Sequence, residues 1–485
     1  MRVFKETILI GMIILSLILG SATLTRGHDW GDDFAWYILQ AKSIWNGTTA
    51  DLMKQSAFTN TQSTTYVGPL AYPWGYPLIL TPVYAFKGTH PLALKMPGLF
   101  FYAAFLICFF YLMKPRLPWT ENLILVSLFA FNPLLIQFLD QILSDIPFLF
   151  FSTLTLLLMT RGEKRGTLQN VLMGVSVFLT FFLRATGIFL LGSFLIVEFF
   201  KLLSNRKDRN MVIKIVLDSF MICFVFVLLV AVNIFLFPSG GQTSYLSQFA
   251  GLSMETLRHS LYMYFNVFAL FFGNAPAWMY LYYLLIIFSL LGAWTRRKQE
   301  PIFIVFFVIW MIVHVTYPYW QGPRYIFPLL PIFIYFAFQG MKFSIGKLPE
   351  TSRLVGQRVF YGFWFAIIGY FLFTSGTSAF NNVRNGRQIN GPFDSQSMEV
   401  YDWIDRKTPA DSVLIFYKAR AMRLMTGHPT IMINECDGML KGDYLILSKK
   451  VERNNQIPVS EIDSCNLPID KRFENRRFII YEIVK

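Results

Sequence analysis

Two adjacent carboxylates, Asp32 and Asp33, sit in the run His28-Asp29-Trp30-Gly31-Asp32-Asp33-Phe34, directly after the first apolar stretch of the chain. Paired acids at a membrane boundary repel each other and lose hydration, so they stay ionised most easily beside a cation, a metal or a polar substrate. A carboxylate held this way can take a proton from a hydroxyl. A third acid, Asp145, opens another apolar stretch in Gln141-Ile142-Leu143-Ser144-Asp145-Ile146-Pro147-Phe148. Arg184, in Leu183-Arg184-Ala185-Thr186-Gly187, and Arg324, followed by Tyr325, are isolated cations at the ends of apolar segments. A guanidinium in such a place suits a phosphate, which it can bind bidentately. Tyr72 and Trp74 stand in Tyr72-Pro73-Trp74-Gly75-Tyr76-Pro77, where aromatics can stack on a sugar face or rest on lipid, and where Pro73 and Pro77 exclude a regular helix.

Each motif also has a purely structural reading. Phe34, Tyr37, Ile38, Ala41 and Trp45 fall at helical spacing, so residues 33–45 read as an amphipathic helix along the membrane interface, with Asp32 and Asp33 in its N-cap region. Ser144 or Asp145, just before Pro147, reads as another N-cap. The aromatics of 317–325 read as an interfacial anchor. Chemistry is favoured because the chain topology sends all these motifs to one face.

That topology follows from composition. The 485 residues are 54% hydrophobic and 18% aromatic, and 15% are charged, against about 25% in soluble domains. Apolar stretches recur at 6–24, 92–113, 121–138, 146–160, 168–183, 187–203, 213–237, 277–294, 301–317, 326–341 and 359–380, about eleven spans. Several fall short of the ~20 residues of a perpendicular crossing and are expected to be tilted, broken or re-entrant. With the N-terminus inside and the sides alternating, the inner loops collect Arg2 and Lys5; Lys114 and Arg116; Arg161, Lys164 and Arg165; the basic run 201–214; Arg296, Arg297 and Lys298; and the lysines and arginines of 342–358. This positive-inside pattern accounts for the net charge of +14 without any nucleic-acid partner.

The outer face then receives 25–91, 238–276 and the tail 381–485. The tail has ordinary charge density and strand-like runs at 412–416 and 443–447, which predict a small extracytoplasmic α/β domain. The expected architecture is a polytopic α-helical membrane domain, 1–380, with outer loop 25–91, followed by the soluble domain 381–485. Arg2 and Lys5 before an apolar run ending at Gly20-Ser21-Ala22 also fit a cleaved signal peptide. A retained helix fits better, since the acidic pair follows at once. Cys108 and Cys223 lie in apolar segments; Cys436 and Cys465 lie in the tail, where an oxidising compartment would let them pair, and no cysteine spacing resembles a zinc site.

An Asp-Asp pair after the first helix, followed by an interfacial helix, resembles the GT-C glycosyltransferases, with a closer match to the branch of protein O-mannosyltransferases and aminoarabinose transferases. Ser-Asp-Ile-Pro-Phe at 144–148, Tyr-Pro-Trp-Gly-Tyr-Pro at 72–77, Leu-Arg-Ala-Thr-Gly at 183–187 and Arg-Tyr-Ile-Phe-Pro-Leu-Leu-Pro at 324–331 are similar to segments of bacterial members, and together span most of 1–341. The resemblance implies a GT-C-like fold in the inner or plasma membrane and a polyprenyl-phosphate-linked sugar donor. It also implies a glycan, lipid or protein acceptor, and transfer with inversion on the extracytoplasmic face. By position Asp32 matches the base, Asp33 the partner acid that binds acceptor or metal, and Asp145 the second-loop acid. Arg324 and Arg184 suit the donor phosphate, with Tyr325, Tyr72 and Trp74 beside the substrate. A divalent metal at Asp33 and Asp145 stays open. No segment matches the lysine-bearing loop of the aminoarabinose branch, which puts that branch's lipid A activity in doubt.

Two other readings compete. A secondary transporter also buries charges between spans, but concentrates them near the midplane and often carries inverted repeats, neither of which this sequence shows. A membrane ligase using a pyrophosphate-linked glycan is the neighbouring enzymatic alternative.

Overall fold

A computed structural model describes residues 2–160, 165–238, 251–318, 320, 322–451 and 456–484, with side chains from residue 6 onward. Of the features above, Arg161, Lys164, residues 239–250, Tyr319, Gln321 and the side chains of Arg2 and Lys5 lie outside the described residues.

Each of the apolar stretches is helical: Arg2–Thr23, Pro91–Met113, Trp119–Ala130 continued by Pro133–Phe138, Asp145–Met159, Thr167–Leu183, Ile188–Ser204, Arg209–Leu236, Ala277–Arg296, Pro301–Thr316, Leu330–Gly346 and Glu350–Asn385. Among the described residues, 6 helices are long and apolar enough to cross a membrane. One expected span is broken at Pro133, whose ring removes an amide donor; Asn132 restarts the helix by accepting a hydrogen bond from the Leu135 amide at 3.2 Å. Along Arg209–Leu236, Phe220, Phe224, Val227, Leu228, Ile234 and Phe235 are all exposed, a surface that is stable against lipid and not against water. The protein is an integral membrane protein. Arg116 pairs with Glu300 at 2.7 Å and Lys342 with Glu121 at 2.6 Å, joining loops that the charge pattern assigns to one side.

The tail forms five strands: β1 (Leu414–Ile415), β2 (Thr430–Ile431), β3 (Tyr444–Ser448), β4 (Ile469–Glu474) and β5 (Phe478–Ile483). Their order is β2-β1-β3-β5-β4, with β1 parallel to β2 and β3, and β5 antiparallel to β3 and β4. Alternation along β3 builds a core on each face. Tyr444 and Ile446 meet Val400, Tyr401 and Ile404 of helix Ser395–Lys407, while Leu445 and Leu447 meet Ile431, Ile433 and Ile462. Cys436 and Cys465 are joined by a disulfide.

Two local expectations are corrected. The helix Asp32–Asn46 does not lie on lipid; it is buried on nearly every side, with Trp45 exposed near its end. Helix Gly75–Lys87 packs against it, and so does helix Ala419–Thr426 of the tail, so the face that the spacing assigned to water is covered by protein. Pro77 is also part of a helix. It sits in the first turn of Gly75–Lys87, where an amide has no intrahelical acceptor and the ring therefore removes nothing.

Candidate active site

The helix bearing the acidic pair begins after Gly31, which offers no side-chain cap, and Asp32 and Asp33 form its first turn. Neither acid caps the helix, contrary to the purely structural reading; both turn to distant partners. Asp33 Oδ2 accepts from Arg324 Nη1 at 2.7 Å, and Oδ1 accepts from the Tyr72 hydroxyl at 2.7 Å. Asp32 Oδ2 accepts from Lys418 Nζ at 3.3 Å, whereas its Oδ1 is buried with no hydrogen-bond partner among the described residues. Asp145 opens its helix and pairs with Arg184. The Arg184 guanidinium lies 4.6 Å from the Tyr325 ring centroid and that of Arg324 lies 5.6 Å from the same ring, so one aromatic contacts two cations. Ser144 shares a 3.0 Å hydrogen bond with the Tyr37 hydroxyl.

The structure thus brings together Asp32, Asp33, Asp145, Arg184, Arg324, Tyr72 and Tyr325. Trp74 stays apart: its indole donates to the Pro238 carbonyl at 3.2 Å and its ring stacks on Phe237 at 5.2 Å.

Three positioning residues carried no readable signal in the sequence. Gln40, wholly buried, clamps Tyr72 by both of its amide atoms, donating to the Tyr72 carbonyl at 3.0 Å and accepting from its amide at 3.2 Å. Lys418 and Arg420 come from the tail. Arg420 donates to the Tyr72 hydroxyl at 3.0 Å and to the Pro69 carbonyl at 2.7 Å, and stacks over Trp36 at 4.7 Å. Gly68 makes the room: its φ is +130° and an added Cβ would come within 2.6 Å of the Arg420 guanidinium. Lys418-Ala419-Arg420 reads as ordinary surface charge, and Lys418 is 386 positions from Asp32, so no local spacing relates them.

The environments separate the two neighbouring acids. Burial pushes Asp32 upward from its ordinary value, and although Lys418 and Arg420 oppose this, the carboxyl remains raised. Burial also pushes Asp33 upward, but Arg324 and the Tyr72 hydroxyl outweigh it and hold Asp33 below its ordinary value. Burial and the Asp33 charge keep the Tyr72 hydroxyl protonated, so it remains a donor. Arg324 and Tyr72 thus favour the anionic form of Asp33, and Asp32 is the more basic of the two carboxylates.

The donor set suits an anion better than a dication. No group of three or more His, Cys, Asp and Glu side chains gathers in metal-binding positions among the described residues. Asp33 and Asp145 each face a guanidinium already, and a divalent ion between them would meet Arg184, Arg324 and Arg420 as like charges.

No protein-family model and no curated protein sequence matches the chain. Solved structures do. ArnT from Cupriavidus metallidurans bound to undecaprenyl phosphate superposes with a TM-score of 0.61 over 98% of this chain and 98% of its own, at 12% identity. The archaeal oligosaccharyltransferase AglB from Archaeoglobus fulgidus, in complex with an inhibitory peptide and a dolichol-phosphate, gives 0.57 over 92% of this chain and 70% of its own, at 11% identity. The chain shares the fold of these membrane proteins. A further oligosaccharyltransferase structure from Archaeoglobus fulgidus, tethered to an acceptor peptide, gives 0.58 over 100% of this chain and 75% of its own, at 10% identity. At such identities the likeness is one of backbone path alone.

Proposed function

We propose that the protein transfers a sugar from a polyprenyl-phosphate-linked donor to a hydroxyl of a glycan, lipid or protein acceptor, on the extracytoplasmic face of the membrane. The observation that carries this reading is Asp32: a carboxyl with one unpartnered oxygen and raised proton affinity, among the cations Arg184, Arg324, Lys418 and Arg420. A guanidinium has five donors, so Arg184 and Arg324 can hold a phosphate while still touching Asp145 and Asp33. Asp32 takes the proton of the acceptor hydroxyl. The freed oxygen bonds to the anomeric carbon from the face opposite the phosphate, the bond from that carbon to the phosphate oxygen breaks, and polyprenyl phosphate leaves with the electron pair. The cations stabilise the charge that develops on the leaving oxygen. The donor is already activated, so the step consumes no nucleotide.

The test is release of polyprenyl phosphate by the purified full-length protein, offered a panel of polyprenyl-phosphate hexoses and pentoses with envelope extract as acceptor. Asp32→Asn is expected to lower the rate by about 10²–10⁴, the usual contribution of a general base, with melting unchanged or raised. Full activity in Asp32→Asn removes Asp32 as the base.

A further inference from the structure

A cavity of about 530 Å³ lies away from the acidic pair, between the end of Arg2–Thr23, the short helix Pro133–Phe138, residues 270–275 and the last turns of Glu350–Asn385. Its level follows from helix length. Glu350–Asn385 has 36 residues, about 54 Å at ~1.5 Å per residue, against a hydrocarbon layer of ~30 Å. A crossing that begins after Arg358 leaves the hydrocarbon near Ser378, which lines the cavity. The cavity therefore stands where lipid headgroups meet acyl chains on the side of the acidic site.

The lining divides in the same sense. Leu134 and Phe272 give it an apolar wall, Thr374, Ser378 and Gln137 give it polar groups, and Arg387 stands at its edge. Asp140 accepts from Arg387 and, at 2.7 Å, from the fully buried Lys95, so one carboxylate serves two cations. Lys95 is spent internally on the Thr25 and Gly27 carbonyls at 2.9 and 2.7 Å. Arg387, whose side chain is 42% exposed, keeps N–H donors beyond the one it gives to Asp140. The cavity wall and the acidic site meet in one segment: Asp140 faces the cavity, and Asp145 pairs with Arg184.

We propose that this cavity is a second lipid site, distinct from the transfer site, which takes a phosphate-bearing amphiphile with its headgroup on Arg387 and its chain along Leu134 and Phe272. Its volume is within the usual range of small-molecule sites. The inference does not depend on the transfer reading. It is tested on full-length protein in micelles carrying Arg324→Ala, which removes one guanidinium from the acidic site, with dihexanoyl phosphatidic acid as the probe and native mass spectrometry as the readout. The Arg324→Ala protein is expected to keep saturable binding. Adding Arg387→Gln is expected to weaken it at least tenfold, Arg387→Lys to retain most of it, and Ser378→Trp, which fills the cavity and leaves the ion pairs in place, to weaken it as much as Arg387→Gln. Unchanged binding in Arg387→Gln or in Ser378→Trp overturns the site. Inorganic phosphate binding as tightly as the lipid overturns the amphiphile, and dihexanoylglycerol binding as tightly overturns the role of Arg387.

Discussion

Two acidic clusters stand side by side on this molecule and are built to opposite rules. Around Asp140 both carboxylate oxygens are satisfied, by Thr25, Lys95 and Arg387, and Lys95 and Asp140 are 0% and 1% exposed. Around Asp32 one oxygen has no partner, its lysine stands 3.3 Å away, and the carboxylate is 15% exposed. Asp140 ties the segment leading to the acidic pair onto the bundle, since Lys95 binds the carbonyls of Thr25 and Gly27. A saturated ion pair fixes geometry, whereas an unsaturated carboxylate among cations keeps capacity for a ligand. The contrast separates scaffold from chemistry among acids that look alike in sequence.

The sharpest way to break the contrast is to compare stability. Lys95→Met leaves the Asp140 carboxylate with a lost partner and two carbonyls unbonded in the interior, and is expected to cost about 3–5 kcal/mol. Asp32→Asn is expected to leave the melting temperature unchanged or raised at neutral pH. The sign follows from its raised carboxyl: the folded protein binds that proton more tightly than the unfolded chain does, so ionisation costs stability as pH rises from the ordinary Asp value through the raised one. An amide removes that cost. Thermal scans in detergent check both, and a Lys95→Met protein that melts with the parent would erase the distinction.

A smaller effect is expected at Arg324, which serves Asp33 at rest and the phosphate in the proposed reaction. Arg324→Ala should weaken donor binding by about 10–100-fold, the loss of roughly one charge-assisted contact of 1.5–3 kcal/mol. Arg324→Lys should recover part of it. Donor affinity equal to that of the parent would make Arg324 a scaffold residue like Lys95.

What the sequence allowed to be read followed from periodicity and charge. The spans, the tail with its strands at 412–416 and 443–447, and the gathering of Asp32, Asp145, Arg184 and Arg324 on one face are all consequences of hydropathy and of where Lys and Arg fall. What stayed hidden is tertiary. The helix Asp32–Asn46 looks half exposed because amphipathic spacing cannot say whether its second face meets water or another domain. Trp74 reads as a platform for sugar or for lipid, since nothing local reveals Phe237 stacked on it. Lys418 and Arg420 are two charges among many in a polar tail, and only the docking of Ala419–Thr426 against the first acidic helix gives them meaning.

That docking leads to the smallest and most discriminating effect. Lys418 does not saturate Asp32, but together with Arg420 it limits how far burial raises the carboxyl. A base works only when ionised, so activity is lost as pH falls through the Asp32 pKa. Removing Lys418 takes away a lowering influence, and the loss should begin at a higher pH. In Lys418→Ala the acid limb of kcat/KM is expected to move upward, by up to about one pH unit for a contact worth roughly 1.4 kcal/mol, with Lys418→Arg restoring it. At alkaline pH, where Asp32 is ionised in both proteins, the rates should converge. A purely structural lysine would lower activity equally at every pH and leave the limb in place. A shifted limb in Lys418→Ala, beside an unshifted one in Lys95→Met, would show that the tail tunes the base and the buried cluster does not.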